Sequence, residues 1–130
     1  MGVMIGTPDT VVVTSASDLS SYEWIFVKYS SGDNAAPVVA ICGSTEVPTG
    51  VVIKGEIAGR DMEMIPLNGQ PCKAIASGVV AVGATCITAA TGQVAATTSD
   101  GARVFFIATE AATAANDVIC GYTTNMFRGA

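Results

Sequence analysis

The stretch SGVVAVGATCITAATGQVAA, from Ser77 to Ala96, decides the fold class of this chain. Short runs of Val, Ile and Ala are cut at close intervals by Gly, which is typical of short strands joined by tight turns. The same pattern runs from Tyr22 to the C-terminus. We therefore predict an all-β fold, a small β-barrel or a compact β-sandwich of about ten short strands.

Three segments stand out within this pattern. EWIFVKY, from Glu23 to Tyr29, is largely apolar on both faces and is predicted to be a central strand. Asn68-Gly69 predicts a hairpin turn because both residues tolerate a positive φ. EAATAAN, residues 110–116, is the one helical candidate, and its length allows only one or two turns packed on a barrel mouth.

The first 21 residues differ in composition from the rest. They are rich in Thr, Ser and Gly around one β-branched run, Val11, Val12 and Val13. We predict that residues 1–21 form an extended N-terminal arm and residues 22–130 a β-rich domain. A segment this poor in large apolar groups can add a strand to a neighbour's sheet edge, so the three valines are predicted interface residues.

The composition favours a chain that assembles. Half of the residues are hydrophobic and 13% are charged, and Ala with Val supply more than half of the apolar set. Such small side chains fill a thick core poorly, and so weakly charged a surface self-associates unless an interface hides it. We expect a homo-oligomer. Phe127 and Arg128, beyond the closing strand, are further predicted interface residues.

Several function classes are disfavoured. The chain has no His and its carboxylates are scattered, so we expect neither an enzyme nor a cofactor site. A formal charge of -5 with six dispersed Lys and Arg argues against a nucleic-acid partner. No run approaches the roughly 18 apolar residues of a membrane helix, and no secretion signal is recognisable, so we expect no membrane partner and no export.

Two sets of side chains could carry chemistry. Asp61 and Glu63 fall on one strand face with Glu56 nearby, which could hold Ca²⁺, although a solvated strand face is the simpler interpretation. The four cysteines, Cys42, Cys72, Cys86 and Cys120, stand apart in separate apolar runs. They are expected to be buried, unpaired thiols.

The aromatic and charged residues of the first strong strand also allow two interpretations. Trp24 is expected to plug the core, with an anchor in a subunit contact as the alternative. Lys28 and Glu23 are expected to be charges that discourage pairing at a strand edge.

The order of several short motifs resembles the small decoration or cement proteins of tailed-bacteriophage capsids. These motifs are Phe26-Val27-Lys28, Pro48-Thr49-Gly50-Val51, Gly59 to Gly69, ASGVVAVGA from Ala76, Thr91-Gly92-Gln93-Val94 and ATEAATAANDVI from Ala108. The resemblance implies a β-rich virion protein without enzymatic activity. It also implies binding of the major capsid protein on the outside of the expanded shell, commonly as a trimer, after synthesis in the host cytoplasm.

Two other kinds of module remain open. A lipoyl- or biotinyl-type carrier also has Gly-punctuated short strands, but it needs a Lys at a hairpin tip. The corresponding tip, Ala89-Ala90-Thr91-Gly92, has none, and Lys54 and Lys73 lie within strand patterns. A β-module of a phage fibre or baseplate is the further alternative.

Overall fold

The computed structural model describes residues 6–31 and 37–129. Regular structure in this part of the chain consists of strands and one 3-10 turn at Ala90–Gly92. The strands are β1 (Val11–Ser15), β2 (Glu23–Ser31), β3 (Val38–Ile41), β4 (Gly50–Lys54), β5 (Asp61–Pro66), β6 (Pro71–Ile75), β7 (Thr85–Thr88), β8 (Val94–Ala96), β9 (Arg103–Ala108) and β10 (Val118–Phe127). The predicted all-β fold with about ten strands is confirmed. Among the described residues, no helix is long and apolar enough to cross a membrane.

The first five strands close into a barrel in the order β1-β3-β2-β4-β5. Closure depends on β1, which pairs antiparallel with β5 and parallel with β3. Alternate side chains of each strand point inward and form a separate core. Its buried members are Val13, Leu19, Ile25, Val27, Val39, Val52, Met62 and Met64.

The place of β1 corrects the prediction of a free N-terminal arm. Val13 is fully buried inside the barrel, opposite Met62 of β5. Leu19 is buried as well, and its backbone N–H donates to the carbonyl of Glu56 at 2.8 Å. Residues 11–19 therefore belong to the folded domain of their own chain. The rest of the predicted arm includes residues 1–5, which lie outside the described residues.

The last five strands form a second sheet in the order β6-β10-β9-β7-β8. Its two edges approach each other through a single parallel bridge between Ala76 and Val94. The core beneath this sheet is built largely from small side chains and is completed by the outer face of the barrel. Its main members are Cys72, Ala74, Ala76, Val80, Cys86, Val94, Phe105, Phe106, Ala108, Ala112 and Ile119, with Phe26, Cys42, Val51 and Ile65 from the barrel half.

A row of three barrel residues forms the joint between the two sheets. Phe26, Val51 and Ile65 lie opposite one another on β2, β4 and β5. The Phe26 ring meets Phe106 edge-on, with 6.4 Å between centroids and an interplanar angle of 85°. Gly121 leaves room for the second ring, because a Cβ there would stand 2.4 Å from Phe106 Cζ. The two sheets thus share one continuous core.

The predicted hairpin at Asn68-Gly69 is wrong, although the turn itself exists. β5 pairs within the barrel and β6 pairs with β10, so the turn connects the two sheets instead of joining paired strands. Thr123 of β10 fixes this connection. Its hydroxyl donates to the Pro66 carbonyl at 2.8 Å and accepts the Gln70 N–H at 3.0 Å, while its own N–H donates to the Gln70 carbonyl at 2.8 Å.

The predicted helical segment at residues 110–116 is also wrong. Ala112 forms a β-bridge with Val80, and Asn116 has a left-handed backbone at φ +71. The Asp117 carboxylate accepts the backbone N–H groups of Thr113 at 2.9 Å and Ala114 at 3.2 Å. A short polar side chain that captures nearby N–H groups competes with helix hydrogen bonding, which explains the irregular loop.

The four cysteines are buried and free, as predicted. All four lie on or beside the shared core, and burial is the main cause that raises their pKa values. For Cys86 the pKa rises to about 11. These thiols act as small apolar side chains.

Candidate interaction surface

The acidic strand face predicted as a possible Ca²⁺ site lies on the barrel surface. Asp61 and Glu63 are exposed on β5, and with Glu56 they line a shallow depression of about 210 Å³ that Lys54 also borders. Asp61 accepts the Thr14 hydroxyl at 3.3 Å. In the described part of the chain, no group of three or more His, Cys, Asp or Glu side chains converges as metal ligands would.

A second depression, of about 390 Å³, lies at the loop before β10. Two carboxylates border it, and both are bonded to their own backbone. Glu110 accepts the Cys120 N–H at 3.0 Å, and the hydrogen bond from the Thr113 N–H is the main cause that lowers the pKa of Asp117. The lining residues are Glu110, Ala111, Asn116, Asp117, Val118 and Ile119. These carboxylates hold the loop in shape.

The tip that a carrier domain would use is packed against the barrel. Gly92 is buried, and its N–H donates to the Cys42 carbonyl at 3.0 Å. A Cβ at Gly92 would stand 2.6 Å from the Phe26 carbonyl oxygen. A turn held this closely does not resemble the projecting lysine-bearing tip of a swinging-arm carrier.

The three predicted interface valines differ in exposure: Val11 and Val12 are exposed, whereas Val13 is buried. Val12 is 56% exposed on the barrel wall beside Glu63, and Val11 is also exposed. Val13 faces the barrel core and is corrected to a core residue. The alternation of a strand explains this division, because neighbouring side chains point to opposite faces.

The two predicted C-terminal interface residues also differ. Phe127 is 70% exposed, at the end of β10. The Arg103 guanidinium lies 5.8 Å from the Phe127 ring centroid and 5.8 Å from that of Phe105, and its Nε donates to Asn125 Oδ1 at 2.9 Å. Phe127 is therefore an exposed aromatic ring on a fixed cation, a residue type that is enriched at interfaces.

Arg128, in contrast, is bound to its own chain, and its role as an interface residue stays a prediction. Its N–H donates to the Ala102 carbonyl at 2.7 Å, and its carbonyl accepts the Gly101 N–H at 2.8 Å. The side chain reaches back so that Nη1 donates to Thr85 Oγ1 at 3.3 Å, and Nε is buried. Arg128 fastens the end of the described chain to β7.

Two exposed residues that the sequence did not single out lie in the loop between β6 and β7. Val79 is 74% exposed and Val82 is 68% exposed. Between them, Val80 is buried and bridges to Ala112. Within the run SGVVAVGA nothing marks which valine faces inward, so only the fold reveals this surface.

The charged residues of β2 lie on an inner strand of the barrel, which corrects their prediction as strand-edge charges. β2 lies between β3 and β4 in the closed barrel, so it has no free edge. Lys28 forms an ion pair with Glu46, which also accepts the Gly43 N–H at 2.8 Å. Glu23 lies opposite Lys54 on β4.

Trp24 is half-buried and packs against the shared core, with Phe26 taking the central position. Its backbone has a positive φ of +54, and Lys73 Nζ lies 5.9 Å from its ring centroid. The expected core role is thus met only in part, at the margin of the core.

No protein-family model matches this chain, and no curated protein matches it. Among solved structures, it is similar to the crystal structure of the head fiber gp8.5 N base of bacteriophage phi29. The TM-score is 0.68 at 21% sequence identity, over 94% of this chain and 95% of that chain. Because the match covers nearly the full length of both chains, the barrel and the second sheet together are a fold that the two proteins share.

Proposed function

We propose that this protein is a structural component of a bacteriophage head that binds the outer surface of the assembled shell, and that it is not an enzyme. The observation that carries the proposal is the near full-length match in fold to the base of a phage head fiber. The motif order that resembles capsid decoration proteins supports the same class of protein from the sequence. Glu110 and Asp117 bond to backbone groups of their own chain, which suits a structural role.

In its finer form the proposal is a cement protein that bridges neighbouring capsomers. It would contact the major capsid protein and further copies of itself, most simply as a trimer, with no nucleic acid, membrane or cofactor involved. The chain would be made in the host cytoplasm and added to the expanded shell. A ligand that binds only the assembled state raises the resistance of that state by mass action.

A fibre base is the second form, and the structural neighbour favours it directly. A base attaches a projecting fibre to the head and need not stabilise the shell. The two forms share outer-surface binding and differ in the consequence of losing the protein.

Particles of the phage that encodes this chain, produced without it, separate these possibilities. Purified protein should co-sediment with such shells and not with unassembled capsid protein. Failure to bind assembled shells contradicts the proposed function. Particles without the protein should release DNA at a lower temperature if it is a cement, whereas equal release temperatures with intact binding identify a fibre base or decoration.

A further inference from the structure

The β6–β7 loop lies in the longest uncharged segment of the chain, and the nearest carboxylates, Glu110 and Asp117, belong to the loop that Val80 meets. No charged residue stands between Lys73 and Asp100, a stretch that includes the end of β6, this loop, β7 and β8. Acidic residues concentrate instead at the end of the barrel where β2 and β5 begin. Asp18, Glu23, Glu56, Asp61 and Glu63 lie there, against Lys54 and Arg60.

The loop holds its two exposed valines in a fixed position. Val80 and Ala112 exchange two backbone hydrogen bonds, of 3.0 and 2.8 Å. Gly83, at φ +83, donates its N–H to the Ala108 carbonyl at 2.8 Å and allows the turn that presents Val82. A preorganised loop loses little conformational entropy on binding. Most of the free energy gained by burying the exposed valines is therefore available for association.

Net charge limits which partner this surface can meet. The chain carries a formal charge of -5, so two copies repel each other overall, and their contact is least opposed where the facing surfaces carry no charge. Like charges placed together across a contact are costly, and the valine loop has none. A basic partner would gain more from the acidic end of the barrel. The distribution of charge therefore favours a second copy of this chain at the valine loop.

We propose that Val79 and Val82 form the centre of the contact between copies of this chain. Ala111, Ala114 and Ala115 are exposed on the loop that Val80 meets, and such small side chains allow two backbones to approach closely. A stable interface covers about 800 Å² on each partner, which is more than two valines provide. The exposed alanines therefore form the rest of the contact around the two valines. Glu110 and Asp117, in the same loop, are already bonded to their own backbone.

The inference rests on the homo-oligomeric part of the proposed function and not on capsid attachment. The test is the mass of the full chain in solution, by light scattering after size exclusion and by sedimentation equilibrium. The variants are Val79→Asp with Val82→Asp, and the milder Val79→Ser with Val82→Ser. Val47→Asp is the matched control, because Val47 is 53% exposed in the loop between β3 and β4.

The wild type and Val47→Asp should be oligomeric. The double Asp variant should dissociate, with a dissociation constant raised about 100-fold by the introduced like charges, and the double Ser variant should weaken less. Wild-type circular dichroism spectra and cooperative melting should show that all variants are folded, with a lower melting temperature where the oligomer is weakened. An oligomer unaffected by the double Asp change, or a monomeric wild type, overturns the inference. Loss of shell binding with an unchanged oligomer also overturns it, because the loop would then face the shell. A wild-type oligomer that ignores assembled shells counts against the proposed function alone.

Discussion

The barrel and the second sheet have five strands each, but they fill their interiors differently. The barrel encloses Ile25, Met64 and similar long or branched side chains in a core of its own. The second half contributes four Ala and two Cys, with two Val, one Ile and the rings of Phe105 and Phe106, and its core is completed by the row that contains Phe26. The second sheet therefore depends on the barrel for its packing, whereas the barrel has an independent core.

The difference connects the unusual composition to the architecture. An Ala-rich sheet can be stable when a neighbouring element supplies the bulk that it lacks. In the segment from the end of β6 to β8, the same small side chains come without a single charged residue. The barrel thus supplies much of the packing, and the second sheet supplies the surface proposed for self-association.

Removal of residues 1–15 should have the largest effect, because it takes β1 out of the barrel. The change exposes the edges of β3 and β5 and removes Val13 from the core. We expect loss of cooperative thermal unfolding, measured by circular dichroism. Removal of residues 1–5, which leaves every described strand, is the control. A chain of residues 16–130 that melts like the wild type would restore the free-arm interpretation.

Phe106→Ala tests the joint between the halves. It removes the ring that meets Phe26 in the shared core, and large-to-small changes of this kind lower the free energy of unfolding by about 3–5 kcal/mol. Urea denaturation provides the measurement. Tyr29→Ala, at an exposed aromatic residue of β2, is the control and should have little effect. Equal small losses in both variants would show that the halves do not share a core.

Thr123→Val tests the connection between the halves. The change keeps the shape of the side chain but removes the hydroxyl that bonds Pro66 and Gln70. Leaving these half-buried groups without this partner should lower the free energy of unfolding by about 1–3 kcal/mol. Thr124→Val, at the adjacent position, should change it less. A neutral Thr123→Val would mean that the connection is held by other contacts.

The thiols provide the mildest test, since the wild-type chain is used unchanged. The thiolate is the reactive form, and burial raises the pKa of Cys86 to about 11, so the native thiol is protonated at pH 8. Alkylation followed by mass spectrometry should label few sites in the native protein and all four cysteines in urea. Labelling of native Cys86 should increase as the pH approaches 11. Rapid native labelling at pH 8 would show that the second sheet opens readily.

The strand pattern was predictable because hydrophobic runs and turn residues act locally. Pairing was not, because Asn68-Gly69 specifies a turn without specifying which strands it joins. The parallel contact of β1 with β3 is distant in sequence, so the valine run was taken for an arm. The segment at residues 110–116 has helical composition, but it forms a loop in which the Asp117 carboxylate accepts backbone N–H groups.

The interaction surface was harder to predict for a similar reason. Val79 and Val80 are identical in type, and only the bridge to Ala112 determines which of them is buried. Phe127 could be proposed from its position near the C-terminus, whereas the attachment of Arg128 to Thr85 requires the fold.

A cryo-EM map of the phage that encodes this chain, compared with a map of particles that lack it, tests the proposed function most directly. We expect density for the barrel and second sheet on the outside of the shell, at fixed symmetry positions, with the Val79 loops of neighbouring copies in contact. This density should be missing from the second map. Two maps with identical outer surfaces would contradict a role as a structural protein on the phage head.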